Sequence, residues 1–242
     1  MIIDCFTFFN ELDLLEIRLH ALAPYVDRFV LVESPITHAG NPKPLFFEEN
    51  KDRFKDFNIT HLVSPPMKGG SWEIEINQRG YILNGIKDAD PEDIILVSDV
   101  DEIPDLKQYD GREGIFILDL FYYYFNCFTG DTIKGTIALK KKNIHILNLE
   151  IDHLRKYRRA TKEVVGKGWH FSVLGSPEQI KYKIESFAHQ EFNNQKFKNE
   201  IEENRKNLIN PYYPEQKKFF IKMPSGPEWL LQNKEKYPDL WA

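Results

Sequence analysis

Long apolar runs are missing from this chain. No window approaches the length of a membrane span, and the opening Met-Ile-Ile-Asp-Cys-Phe carries no basic region followed by an apolar stretch. The expectation is a soluble, cytoplasmic protein, unless the chain is a fragment of a membrane-anchored parent. Cysteine is nearly absent too: Cys5 and Cys127, each inside an apolar segment, fit reduced core thiols better than a disulfide framework or a zinc site. There is no excess of positive charge. A net charge of −5 argues against nonspecific nucleic-acid binding. Nor does a linker divide the 242 residues, so a single domain over 1–242 is expected, with 193–242 as an irregular C-terminal wrap. Aromatics are plentiful, at 18 Phe and 11 Tyr, and a bulky core is the default use for them.

The stretch that carries chemistry is Asp93-Ile-Ile-Leu-Val-Ser-Asp-Val-Asp-Glu-Ile-Pro104. Ile94 to Val97 form a short β-branched run suited to a strand buried on both faces of a parallel sheet. Asp99 and Asp101 follow its carboxyl end, and Pro104 stops the strand from continuing. Open α/β sheets bind ligands along that edge. Two aspartates one residue apart, joined by Glu102, repel each other in a partly dry cleft unless a cation neutralises them. A hard divalent ion with a diphosphate across it is the natural occupant. Haloacid dehalogenase-type phosphotransferases carry a similar Asp pair, but on the first strand; here it follows at least three.

Along the chain, Ile2 to Phe6 reads as a strand, Asn10 as a helix cap, and Leu12, Leu15, Leu19 and Leu22 as a helical stripe ending before Pro24. Asp27 to Glu33 is a second strand, which completes a βαβ unit. A loop from Ser34 to Pro44 holds Thr37, His38 and Lys43. Asn58 to Val63 is a third strand, and Ser71 caps a helix running to about Lys87, with Glu75 and Arg79 four apart on one face. That pair is either solvated or an Arg held by Glu75 and aimed at a phosphate. Gly114 to Phe128 is apolar and too long for one flat strand. Gly130, Asp131 and Gly135 supply a turn, and Thr136 to Lys142 returns. A basic run, Arg155, Lys156, Arg158 and Arg159, comes next; a minority of such runs bind phosphate. Gly166 to Gly175 is a short strand carrying Trp169 and His170. Ser176-Pro-Glu-Gln179 is a helix start with Ile180, Ile184 and Phe187 behind it. Beyond Phe192 come Pro211, Pro214, Pro224 and Pro227 among aromatics, with one helix expected near Asn199 to Asn207.

Four pieces together resemble glycosyltransferase family 17, which includes the bisecting β-1,4-N-acetylglucosaminyltransferase. They are Asp4-Cys-Phe-Thr-Phe-Phe-Asn-Glu-Leu-Asp-Leu-Leu-Glu-Ile-Arg18; Phe29-Val-Leu-Val-Glu-Ser34 with Gly40, Lys43 and Pro44; Ser98 to Pro104; and Gly168-Trp-His-Phe-Ser172 with Pro177 and Glu178. The resemblance implies an α/β, GT-A-like fold with a mixed, mostly parallel sheet flanked by helices. It also implies a nucleotide-sugar donor, UDP-GlcNAc being the first to consider, a carbohydrate acceptor, Mn²⁺ or Mg²⁺, and inversion at the anomeric carbon. On that basis Asp99 and Asp101 hold the metal, with His170 as a third ligand or phosphate donor. Glu178 is the first choice for general base, and Asp131 and Glu191 are held in reserve. Phe6, Thr7, Phe8 and Glu33 face the base and ribose, Arg79 the diphosphate, and Trp169 a sugar face or the core. Glu11 and Arg18 match the family as well and tie down the first helix. A noncatalytic sugar- or nucleotide-binding module is the alternative from outside enzymology.

Overall fold

The computed structural model describes residues 1–147, 151–213, 215, 220–222 and 224–242. The chain opens with β1 (Ile2–Phe8), α1 (Leu12–Leu22) and β2 (Arg28–Glu33), and β1 pairs β2 in parallel, as the βαβ reading requires. Then come α2 (Phe46–Asn50), β3 (Ile59–Val63), α3 (Ser71–Gly80), α4 (Ile82–Gly85), β4 (Ile94–Asp99) and the three-residue β5 (Glu102–Pro104). The second half contains β6 (Gly114–Tyr123), β7 (Cys127–Lys140), α5 (Ile151–Ala160), β8 (Val164–Leu174), α6 (Pro177–Ser186), α7 (Gln195–Asn207), β9 (Phe220–Ile221) and α8 (Glu228–Gln232). One mixed sheet joins them in the order β3-β2-β1-β4-β7-β6-β8-β5, with β9 on β7. The quartet β3-β2-β1-β4 is wholly parallel; β7 runs antiparallel to both β4 and β6, and β6 is parallel to β8.

Alternation along the buried strands sends neighbouring residues to opposite faces. Phe6, Phe8, Phe29, Leu31 and Leu96 pack on one side with Leu15, Leu19 and Leu22 of α1 and with Leu230 and Tyr237 from the end of the chain. Ile3, Cys5, Val30, Val32, Ile95 and Val97 pack on the other with Ile82 of α4 and Leu154 of α5. The chain moves outward from β1 through β2 to β3 and then returns to β4 on the opposite flank of β1. That reversal opens a crevice at the carboxyl ends of β1 and β4, where Thr7 sits beside Asp99 in register.

Several local expectations shift. Helix α1 begins at Leu12 with Glu11 at its N-cap and no side-chain cap, because the Glu11 carboxylate is turned to Lys183 instead. The single helix expected from Ser71 to Lys87 is two, broken after Gly80; Ser71 is its first residue and donates to the carbonyl of Ala188, 2.8 Å away. The apolar segment turns earlier than its glycines suggest. It bends at Tyr123, φ 65°, and β7 is already running by Cys127, so Gly130 and Gly135 lie inside that strand. Gly135 is there for space: a Cβ would stand 2.1 Å from a side-chain carbon of Leu118 on β6. Helix α6 starts as expected, with Ser176 Oγ accepting from the Gln179 N–H and Gln179 Oε1 accepting from the Ser176 N–H. Helix α7 starts four residues before the expected Asn199, where the Asn194 side chain caps it. Pro214 lies outside the described residues.

The crevice is held from below by one fully buried side chain, Arg18 of α1. Its Nε and Nη2 donate to Asp4 on β1 at 2.8 and 2.6 Å, and Nη2 also donates to Ser98 Oγ at 2.6 Å. Nη1 donates to the carbonyls of Asp99 (3.0 Å), Val100 (3.3 Å) and Glu102 (2.7 Å), while the ring of Phe6 lies 4.5 Å beneath the guanidinium. The far side of the loop is fastened to β8, where the Phe171 N–H donates to the Asp101 carbonyl at 3.0 Å. Replacing Arg18 by Met leaves the Asp4 carboxylate buried without its counter-charge. The expected loss of unfolding free energy is about 3–5 kcal/mol by urea titration, and a loss below about 1 kcal/mol would contradict this account.

Candidate active site

Above that loop lies a cavity of about 470 Å³, lined from four directions. Thr7 and Phe8 reach it from the tip of β1, Ile36 to His38 from the loop after β2, Asp99 and Asp101 from the loop after β4, and His170 from β8. Helices complete it: Trp72, Glu75, Gln78 and Arg79 of α3, Arg155 and Arg158 of α5, and Lys183 of α6. Gln78 fixes the β1 and β2 tips, donating through Nε2 to the carbonyls of Phe8 (3.2 Å) and Val32 (2.8 Å) while its Oε1 meets His38 Nε2 at 2.9 Å.

The repulsion built into Ser98-Asp-Val-Asp-Glu102 is answered by the protein's own cations. Arg79 lies 2.8 Å from Asp99 Oδ1 and 2.9 Å from Glu75, so the i, i+4 pair on α3 holds a buried Arg against the first aspartate. Thr7 Oγ1 donates to the same oxygen at 3.2 Å. Asp101 meets Lys183 at 3.0 Å through Oδ2 and His170 Nε2 at 3.4 Å through Oδ1. Glu102 does not face a ligand. It accepts both terminal nitrogens of Arg158, at 3.0 and 2.6 Å, and clamps α5 to the loop. Burial on its own raises a carboxyl pKa, yet Lys183 and His170 outweigh it at Asp101 and hold that carboxyl well below its usual range. Asp99 is lowered in the same way, burial being overcome chiefly by Arg79. Burial lowers His170, and the Asp101 carboxylate more than reverses the effect.

Of the residues expected at the site, the fold brings Thr7, Phe8, Arg79, Asp99, Asp101 and His170 together at one cavity. It does not bring the others there. Phe6 points to the opposite face of β1 from Thr7 and packs against Arg18. Glu33 is buried below the rim, accepting from the Phe47 N–H at 3.1 Å and lying 3.4 Å from Lys43. Trp169 is turned away by strand alternation with His170, and its Nε1 donates to Ser225 Oγ at 3.4 Å. Glu178 projects into solvent from the first turn of α6 and is not on the cavity wall; Asp131 and Glu191 are exposed as well.

Sequence reasoning missed Lys183 and the part played by Glu11. Lys183 is one lysine among several on an amphipathic helix, and nothing local to it signals a partner 82 residues away. The basic run did carry a signal: Arg155 and Arg158, three apart on one helical face, both reach the cavity.

The divalent ion implied by the resemblance can be tested against this donor set. Among the described residues, no three His, Cys, Asp or Glu side chains gather into a preformed metal cage. An ion shared with a diphosphate needs fewer, since one or two carboxylates suffice when phosphate oxygens and water fill the remaining positions. Asp101 Oδ1 and His170 Nε2, 3.4 Å apart, with the 41% exposed Asp99 side chain on the same cavity wall, meet that smaller requirement. The carboxylate oxygens suit Mn²⁺ or Mg²⁺. The residues present fit the ion.

The layout is a parallel quartet followed by an antiparallel partner, with the Asp99-Val100-Asp101 loop at the crevice. A model of glycosyltransferase family 17 matches residues 1–210, and the chain belongs to that family. It is similar to the β-1,4-mannosyl-glycoprotein 4-β-N-acetylglucosaminyltransferases of Rattus norvegicus, 24% identical over 237 residues, and of Homo sapiens, 25% over 229 residues. These alignments cover 79% and 76% of this chain but 43% and 42% of the relatives, so the chain spans less than half the length of the curated relatives it matches. Two crystal structures of S. aureus TarS overlay more loosely, at 13% identity and a TM-score of 0.38 over 84% of this chain and 43% of TarS, and at 12% and 0.39 over 89% of this chain and 72% of TarS 1–349. No helix among the described residues is long and apolar enough to cross a membrane.

The Asp101–His170 contact has a measurable signature. In metal-free protein, NMR titration should place the His170 imidazole above its ordinary value of about 6.5, and Asp101→Asn should lower it, because burial and Lys183 are then opposed only by the weaker pull of Glu102. A raised folded-state pKa means this contact's contribution to stability is fully present below about pH 6.5 and is lost as the pH rises through the folded value. Unchanged titration in the variant would remove Asp101 as the cause.

Proposed function

We propose that the protein transfers a sugar, N-acetylglucosamine being the first to test, from a UDP-sugar to a hydroxyl of a glycan acceptor. The transfer is metal-dependent and inverts the anomeric carbon. The observation that carries this reading is the placement of Asp99 and Asp101 at the β1/β4 crevice, inside a cavity walled by Lys43, Arg79, Arg155 and Arg158. The activity for which the mammalian relatives are named supports the choice of sugar.

Thr7, Phe8 and the loop at Ile36 to His38 are suited to receive the base and ribose, on a floor fixed by Gln78. The guanidinium groups match phosphate oxygens in geometry and charge, and Arg79 is oriented for that by Glu75. Asp99, Asp101 and His170 would hold a divalent ion such as Mn²⁺ or Mg²⁺, which when bound would neutralise charge on the leaving diphosphate. Lys183 keeps the second aspartate ionised and in place. The whole chain acts as one domain, with 193–242 wrapping it; Leu230 and Tyr237 belong to the same core as α1, and Trp229 stacks on His20 at 4.1 Å.

Calorimetric titration with UDP and UDP-sugars, with and without Mn²⁺, tests the reading. Binding should require the ion, and both Asp101→Ala and Arg79→Gln should weaken it by about tenfold or more, the scale of one lost charge-assisted contact. One UDP-sugar should also be hydrolysed slowly. If no nucleotide sugar binds under any metal condition, the transferase reading falls.

A further inference from the structure

A second cleft, of about 810 Å³, opens on the α1 side of the same sheet edge. It lies between the start of α1, the Leu174 to Gln179 turn into α6, and the last residues of the chain, Lys236 to Trp241. Its walls mix aromatic faces with planar polar groups. Arg205 of α7 lies 4.2 Å above the ring of Tyr124 and donates to the carbonyl of Asp239 at 3.1 Å; Trp241 packs against Phe125 with centroids 5.5 Å apart. Arg205 covers one face of Tyr124 and Lys234 one face of Trp241; aromatic rings set among cationic and planar polar side chains in one cleft are a lining that suits saccharide recognition.

Glu11 and Lys183 belong to the walls of both cavities. They form an ion pair 3.1 Å long, and the Glu11 side chain is 15% exposed. Four carboxylates line the first cavity: Glu11, Glu75, Asp99 and Asp101. Glu75 is bound by Arg79 and the two aspartates belong to the loop assigned to the ion; Glu11, paired with Lys183, is the carboxylate among these four that borders both cavities.

We propose that the second cleft is the acceptor site, that its ligand is a neutral oligosaccharide, and that Glu11 accepts the proton of the attacking hydroxyl where the two cavities meet. This rests on the transferase reading above. In the step, a bond forms between the acceptor oxygen and the anomeric carbon. The bond from that carbon to the diphosphate oxygen breaks with its electron pair leaving on the nucleoside diphosphate, and the hydroxyl proton passes to the Glu11 carboxylate.

The test begins with saturation-transfer NMR of di- to tetrasaccharides built from hexoses and N-acetylhexosamines, with UDP and Mn²⁺ present and absent. A saccharide that binds equally well in both conditions supports a site separate from the donor cavity. One displaced by UDP, or no saccharide binding at all, overturns the proposal. For the saccharide so found, Arg205→Gln and Trp241→Leu should each weaken binding about tenfold while leaving UDP affinity within about twofold, which also reports that the variants are folded. Unaltered saccharide affinity in both overturns the assignment of the cleft. Glu11→Gln should lower kcat for transfer by about 10²- to 10⁴-fold with the KM for donor and the affinities for UDP and Mn²⁺ unchanged. Should UDP and Mn²⁺ affinity fall together with kcat, Glu11 acts only by positioning Lys183 and Asp101, and its role as proton acceptor is overturned. Absence of UDP binding to the wild-type protein strikes the transferase reading itself, whatever the saccharides do.

Discussion

One guanidinium holds the working edge of this protein in place. Arg18 sits in the layer between α1 and the sheet, neutralised by Asp4, and uses its remaining donors on the Ser98 hydroxyl and three carbonyls of the loop that follows β4. A loop that turns sharply after a buried strand has carbonyls with no ladder partner, and each one costs free energy unless something donates to it. Arg is the side chain that can satisfy several at once from a single buried position. The βαβ unit thus does more than start the sheet: its helix delivers the group that shapes the Asp-x-Asp turn.

Charge balance at the crevice follows the same economy. Asp99, Asp101 and Glu102 each have a separate cationic partner from a different element, namely α3, α6 with β8, and α5. Three acidic residues in four positions can therefore be packed at a partly buried edge, each against its own cation, and the helices are tied to the sheet by the charges they neutralise. Such buried pairs are weak evidence for stability, since desolvation offsets much of the attraction. Their effect is on orientation: Arg79 and Lys183 have little freedom to point elsewhere.

Much of this was legible in the residues because it is encoded locally. The apolar run before Asp99, the leucine stripe of α1 and the Ser176-Pro-Glu-Gln179 start of α6 each state their structure within a few positions, and each forms. The Glu75–Arg79 spacing leaves two uses open, and the fold adds a partner that no local pattern announces, Asp99 at 2.8 Å from Arg79. What was not legible depends on distant pairing. Glycines at 130 and 135 look like a turn, but Gly135 serves a cross-strand contact with Leu118, which no local pattern announces. Glu178 follows a histidine strand closely in sequence, yet its place in the first turn of a helix capped by Ser176 directs it to solvent. Trp169 and His170 are neighbours on β8, and alternation along the strand turns the Trp169 ring to the face opposite the cavity that His170 lines.

The three-residue β5 lies against β8 only because Gly168 has no side chain; a Cβ there would fall 2.3 Å from the carbonyl oxygen of Ile103. With Arg18 beneath it and β8 alongside, the acidic turn is bounded by backbone on every side that is not the cavity. Ligands that meet a disordered loop must order it as they bind, and that entropic cost is subtracted from their affinity. Here the ordering is completed when the chain folds, so whatever ligand arrives at the crevice encounters a surface already in its final shape.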